Sequence, residues 1–335
     1  MKNKETTVRK QYLDIAKGVA ILSIIAGHMN IAFIDRFVFT YHVPIFFIIS
    51  GFLFKNKEGV IKKRFNRLLI PYVFTVFMII FADELKLVLS RQNLASLLSQ
   101  AKYWIIAGIY GSGSKNVFLH WKFPVIGAIW FLPAMLWACI LLYIVINKCA
   151  NIKMQIIIVL ITFIIASISA EWTWIPFSIQ AGMAGLLFIY IGYLNQHNLF
   201  MLEKPTLNGV ITACFIWGVD LYFSYTNDCM SLVRCYFPNC TINILGSFAA
   251  TYIILLCCRV LENMGKVGSF LSTFGQYSNV VLCFHLFELQ IFPWKIVYES
   301  GIKHAVIVVF LLKIVWVCIG ITLTKRIKIL QKILM

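Results

Sequence analysis

Lys17 and His28, residues of unlike chemistry, stand eleven positions apart in the first apolar segment of the chain, DIAKGVAILSIIAGH. An ammonium group meets a phosphate as a point charge, and an imidazole can take a proton from a hydroxyl near neutral pH. Eleven helical steps of about 100° return almost to the same face and advance roughly 16 Å along the axis. Lys17 and His28 are therefore expected on one stripe at different depths, with Asp14 a turn below Lys17. Other ionisable residues also fall within apolar segments: His42, Asp83, Glu84, Asp220, His285 and Glu288. Such groups are costly in a membrane and tend to face a bundle interior or a wet cavity. His285 and Glu288, one turn apart, could orient a base or simply satisfy two buried groups. His42, just before Pro44, suits a cap or anchor as well as a reacting group.

The elements that must carry these residues follow from composition. Of 335 residues, 61% are hydrophobic and only 13% charged, which excludes an ordinary soluble domain. The fold class expected is an all-α polytopic membrane protein, because apolar windows of about 20 residues recur along the whole chain. About ten spans are placed near residues 13–34, 37–54, 68–89, 125–147, 154–170, 176–194, 207–226, 242–261, 275–294 and 304–324. The first window lacks a cleavage pattern and reads as a retained span. LASLLSQAKYWIIAGIY, residues 94–110, carries Ser, Gln and Lys and reads as an amphipathic or re-entrant piece of a long outer loop, 90–124. A single membrane-embedded domain then spans 1–335, with tails at 1–12 and 325–335.

The net charge of +17 does not point to nucleic acid, because the cations lie between spans rather than in one binding face. Lys2, Lys4, Arg9 and Lys10, the run from Lys55 through Arg64 and Arg67, and Lys325, Arg326, Lys328 and Lys332 all fall on one side when both termini are cytoplasmic. A cationic inner mouth of Lys17, Arg64 and Arg67 would hold a phosphorylated cytosolic molecule, while His28 lies further out. Cys229, Cys235 and Cys240 share one loop, with no zinc-site spacing. Trp104, Trp121, Trp172, Trp174 and Trp294 suit an interfacial belt.

Five runs, YLDIAKGVAILSIIAGH, FTYHVPIFFIISGFLF, KKRFNRLLIPY, AIWFLPAML and FGQYSNVVLCFHLFE, resemble in order and spacing the integral-membrane acyltransferase-3 family, most closely its fucose 4-O-acetylase-like branch. The resemblance covers essentially the whole chain. It implies transfer of an acyl group, usually acetyl from cytosolic acetyl-CoA, to a sugar hydroxyl of a surface polysaccharide or lipid-linked glycan. The family's basic residue, ten intervening residues and essential histidine fall on Lys17 and His28, although the family more often has arginine at the first place. Ser50, Gly51 and Phe52 match its SGF turn, Arg64 and Arg67 its basic stretch, and Trp130 with Phe131 its WF pair.

On this resemblance His28, His285 and Asp14 are the catalytic candidates, and Lys17, Arg64 and Arg67 the acyl-CoA-binding ones. His42, Asp83, Glu84, Trp130 and Asp220 are candidates for the sugar. No metal and no permanently bound cofactor is expected; the partners are acyl-CoA, the glycan acceptor and membrane lipids of the cell's inner or plasma membrane. The oligomeric state is left open, a homodimer included. The competing readings are a proton-coupled transporter with His28, Asp83, Glu84 and His285 as relay groups, and a non-catalytic scaffold.

Overall fold

The computed structural model of the chain describes residues 10–114, 117–196 and 204–335. It is helical almost throughout. In chain order the helices are α1 (Gln11–Gly27), α2 (Ala32–Val38), α3 (Pro44–Phe52), α4 (Val60–Leu89), α5 (Leu94–Tyr110), α6 (Phe131–Lys148), α7 (Ile152–Trp172) and α8 (Ile179–Leu194). They continue as α9 (Leu207–Thr226), α10 (Cys240–Glu262), α11 (Lys266–Gln276), α12 (Ser278–Ile291), α13 (Trp294–Glu299), α14 (Ala305–Arg326) and α15 (Lys328–Leu334). A two-stranded hairpin, β1 (Val117–Phe118) with β2 (Trp121–Lys122), pairs Val117 with Lys122. A 3₁₀ turn, Ala128–Trp130, leads directly into α6.

Six helical segments among the described residues are long and apolar enough to cross a membrane alone: α4, the 3₁₀ turn with α6, α7, α9, α10 and α14. The apolar helices α8 and α12 are shorter. Of the ten expected spans, the first two do not form single long helices among the described residues, and each departure has a local cause. The first expected span, 13–34, breaks after Gly27, and Asn30 adopts a left-handed backbone with φ of 56°. The second, 37–54, begins with the end of α2, passes through turns at residues 39–43 and becomes helical again at Pro44, whose fixed φ suits a first turn and which cannot donate to a preceding one. Its nine residues span only about 13 Å. Of the expected tails, residues 1–9 lie outside the described residues.

Small residues let these helices approach at backbone distance. On α1, Gly18 faces the carbonyl oxygen of Leu271 on α11, and Gly275 of α11 faces the carbonyl of Asp14. On α3, Gly51 meets Ile189 of α8, while Gly192 of α8 meets Ile48. A Cβ at any of the four would overlap the facing carbonyl. These two crossings hold α1 and α3 in the centre of the molecule. The core there includes Ile15, Ile25, Ile45, Phe47 and Phe188, all fully buried.

Candidate active site

The cationic residues meet around one cavity. Lys17 of α1, Lys55 and Lys57 of the α3–α4 connection, and Lys63, Arg64 and Arg67 of α4 line a space of about 550 Å³, with Glu58 as the one carboxylate. Five α4 residues that line it, Val60, Lys63, Arg64, Arg67 and Leu68, repeat at helical spacing and so form one stripe. Three cations in the first turns of a helix oppose the positive end of its macrodipole. An anion in the cavity would relieve that repulsion. Lys17 also bonds Asp14 at 2.7 Å, so its ammonium is tied to the α1 surface beside the cavity.

His28 lies at the other end of α1, at its C-cap. Its Nδ1 is 2.7 Å from the carbonyl oxygen of Ile24. A carbonyl only accepts, so Nδ1 carries the proton and Nε2 keeps its lone pair. The ring is exposed to a second cavity of about 310 Å³, whose other polar walls are His42, Ser231 and Gln290. His42 Nδ1 likewise bonds a carbonyl, that of Val38, at 2.6 Å, which leaves its Nε2 unprotonated too.

Trp130 and Phe131 stand between the two spaces. Trp130 lines the cavity of His28, and Phe131 lines both cavities. The ring of Phe131 is held edge-on by Phe46 and Phe47, at centroid distances of 5.5 and 5.4 Å. Gly127 begins the 3₁₀ turn at φ of 82°, a backbone that L side chains rarely adopt, and a Cβ there would press on Leu286. The turn thereby places Trp130 and Phe131 against α12.

Other sequence candidates lie elsewhere. Asp14 shares the α1 face of Lys17, but fourteen residues separate it from His28, roughly 21 Å along a helix, so it cannot orient that ring. Asp83 accepts from Gln100 Nε2 at 2.8 Å and Trp104 Nε1 at 2.6 Å, which ties α4 to α5 and not to either cavity. Glu84, beside it, lines neither cavity. Asp220 is fully buried between α9 and α10, accepting from Asn243 Nδ2 at 2.9 Å. Depth alone grouped these three with His28; the helix face they occupy separates them from it.

His285 is brought to His28: the ring centroids are 5.0 Å apart and the planes cross at 76°. It bonds Glu288 through Nδ1 at 2.8 Å. Trp294, expected in an interfacial belt, donates to Glu288. The sequence reading passed over Lys313, which is 1% exposed and bonds both oxygens of Glu288. A lone lysine in the middle of the last apolar span was the available signal. Ser231 and Gln290 had no such signal, since nothing local distinguishes them from other polar residues at helix ends and in loops. Cys229, Cys235 and Cys240 are not joined by disulfides, and no three potential metal ligands cluster among the described residues.

Fold and site together define a multi-pass helical membrane protein in which a cation-lined cavity and a histidine-lined cavity share an aromatic wall. The chain belongs to the acyltransferase-3 family, whose model, described as an acyltransferase domain, matches residues 10–325. It is therefore a membrane acyltransferase that moves acyl groups other than aminoacyl groups. No curated protein and no solved structure matches it.

Proposed function

We propose that the protein moves an acetyl group from cytosolic acetyl-CoA to a sugar hydroxyl of a surface polysaccharide or lipid-linked glycan at the cell's inner or plasma membrane, as in the fucose 4-O-acetylase-like branch. The observation that carries this reading is the wall at Phe131, which borders both the six-cation cavity and the cavity of His28. The phosphates of CoA suit the first cavity, where Lys17, Arg64 and Arg67 supply charge-assisted bonds. The pantetheine arm then leads the thioester past Phe131. The acceptor suits the second cavity, where His42, Ser231 and Gln290 offer hydrogen bonds and Trp130 an aromatic face for a sugar ring.

A thioester is already activated, so the protein has to place it and manage one proton. His28 Nε2 takes the hydroxyl proton as the sugar oxygen attacks the thioester carbonyl carbon. The tetrahedral intermediate then collapses, the C–S bond breaks, and the leaving thiolate recovers the proton from the imidazolium. The products are the sugar ester and CoA with a free thiol.

The test is release of that thiol by the full chain in detergent, given acetyl-CoA and the surface glycan of the producing cell, with O-acetyl signals followed by NMR. His28→Ala is expected to lower the rate by about 10²- to 10⁴-fold while the protein elutes and folds as the parent does. An unimpaired rate in that variant would overturn the assignment of the base. Solute uptake by proteoliposomes with no thiol release from the parent protein would overturn the acetyl-CoA reading itself.

A further inference from the structure

Behind His28, on the side away from its cavity, a line of buried groups runs from α12 into α14. His285 and Glu288 are both fully buried. Glu288 Oε1 takes a bond from Lys313 Nζ at 2.7 Å and faces His285 Nδ1 at 2.8 Å, while Oε2 takes bonds from Lys313 at 2.9 Å and from the indole N–H of Trp294. All of these partners can donate, so the carboxyl group acts as an acceptor through both oxygens, the behaviour of a carboxylate. Lys313 Nζ also stands 4.7 Å from the centre of the Trp294 ring, a contact that favours its charged form. One negative and one positive charge therefore cancel within the cluster.

That leaves His285 with no charge to balance. Its Nδ1–H donates to Glu288, and its Nε2 is buried with no hydrogen-bond partner. An imidazolium would carry a second N–H there, buried without an acceptor, at considerable cost. The ionisable groups facing this pair of rings are few. His285 meets His28 from α1, Glu288 on its own helix and Lys313 from α14, while His42 faces His28. Tyr298 of α13 faces Glu288, and α4 brings Thr75 to Cys283.

We propose that Lys313 is a positioning residue: by balancing the charge of Glu288 it keeps His285 neutral, so that the proton drawn from the acceptor is held by His28 alone. The proposal rests on His28 as the base. Without the ammonium, the buried carboxylate would be neutralised most readily by protonating its other partner, His285. A cation would then stand 5.0 Å from the His28 ring, opposing the imidazolium that forms there during transfer.

The protonation state is read directly by ¹⁵N NMR of the full chain in detergent with its six histidines ¹⁵N-labelled, the His285 signals being assigned by their loss in His285→Gln. In the parent protein His285 is expected as the neutral Nδ1–H tautomer at pH 7. In Lys313→Met it is expected as imidazolium, in Lys313→Arg as neutral, and in Lys313→Met with Glu288→Gln as neutral again. A His285 imidazolium in the parent, or a neutral ring in Lys313→Met, would overturn the proposal. Should Lys313→Met not fold, Lys313→Gln is read on the same criterion.

Thiol release from acetyl-CoA gives the second reading. Lys313→Met should lower kcat by at least tenfold and move the acid limb of its pH profile down by on the order of one to two units, with KM for acetyl-CoA unchanged. Lys313→Arg should restore both. A loss of folded protein alone would leave the acid limb where it is in the parent, and that result would overturn the charge role. A parent protein that releases no thiol would instead overturn the acetyl-CoA reading, while the NMR result would still decide the charge balance.

Discussion

An imidazole becomes a base only when its hydrogen bonds fix where its proton sits. In His28 that choice is made by a single carbonyl one turn back, Ile24, which holds the proton on Nδ1 and turns the lone pair of Nε2 outward. The spacing of Lys17 and His28 made their shared stripe legible in the sequence, because a helix repeats its faces by simple arithmetic. The same arithmetic did not apply to Asp83 and Asp220, whose partners Trp104 and Asn243 come from other helices. Among the cations, Arg64 gives the sharpest prediction. It sits inside the basic stripe of α4, in the cavity proposed for the CoA phosphates, so its contribution should be the same in the ground and transition states. Arg64→Ala is expected to raise KM for acetyl-CoA by about 10- to 100-fold with kcat changed less than about threefold, as loss of a charge-assisted phosphate bond requires. Arg64→Lys should recover part of it, since an ammonium keeps the charge but loses the bidentate fork. An equal fall in kcat would place Arg64 in the transition state, contrary to its position.

Helices meet in this fold where side chains vanish, and the site hangs from those crossings. The α1–α11 crossing fixes the turn of α1 that bears Lys17, because Gly18 and Gly275 both face backbone carbonyls across it. Which helices meet at these glycines was not legible in the sequence, because it depends on facing surfaces distant in the chain. Nor was the break after Gly27 legible, since the apolar run continues past it and only the backbone turn at Asn30 reveals the change. Gly275→Ala is expected to destabilise the protein by about 1–3 kcal/mol, because rigid backbone rather than a flexible side chain stands in the way. Gly218 supplies the contrast: it lies in α9 with nothing within 4 Å of an added Cβ. Gly218→Ala should leave stability unchanged or raise it by up to about 1 kcal/mol, from better helix propensity. Thermal unfolding in the same detergent compares the two, and equal effects would mean that the crossing does not determine stability.

Across the whole molecule, charge and chemistry divide between the two ends of the bundle. The all-α membrane class was legible from composition alone, whereas which apolar runs form one long helix was not, because short helices and turns carry as much apolar sequence as long helices do. The ends can be recognised from what borders each cavity. Ser278 and Asn279 line the cation cavity, and the neighbouring Tyr277 ring lies 5.1 Å from Lys325 Nζ, so the basic C-terminal end of α14 sits beside that cavity. At the other end, Met230, Ser231 and Leu232 of the α9–α10 connection close over His28. Lysines and arginines collect on the cytoplasmic side of membrane proteins, and the connection carrying Lys55 and Lys57, with Lys63 at the start of α4, lies at the cation end. The two cavities should therefore open toward opposite sides, with the donor met from the cytosol. An epitope placed after Met335 is expected to be reached by antibody only after the membrane is permeabilised. One inserted between Asn227 and Asp228, both exposed at the His28 end, should be reached on intact spheroplasts. Each tagged chain must retain thiol release, so that the topology read is that of the working protein. Accessibility of both tags from the same side would break the link between cavity and compartment that the proposed transfer requires.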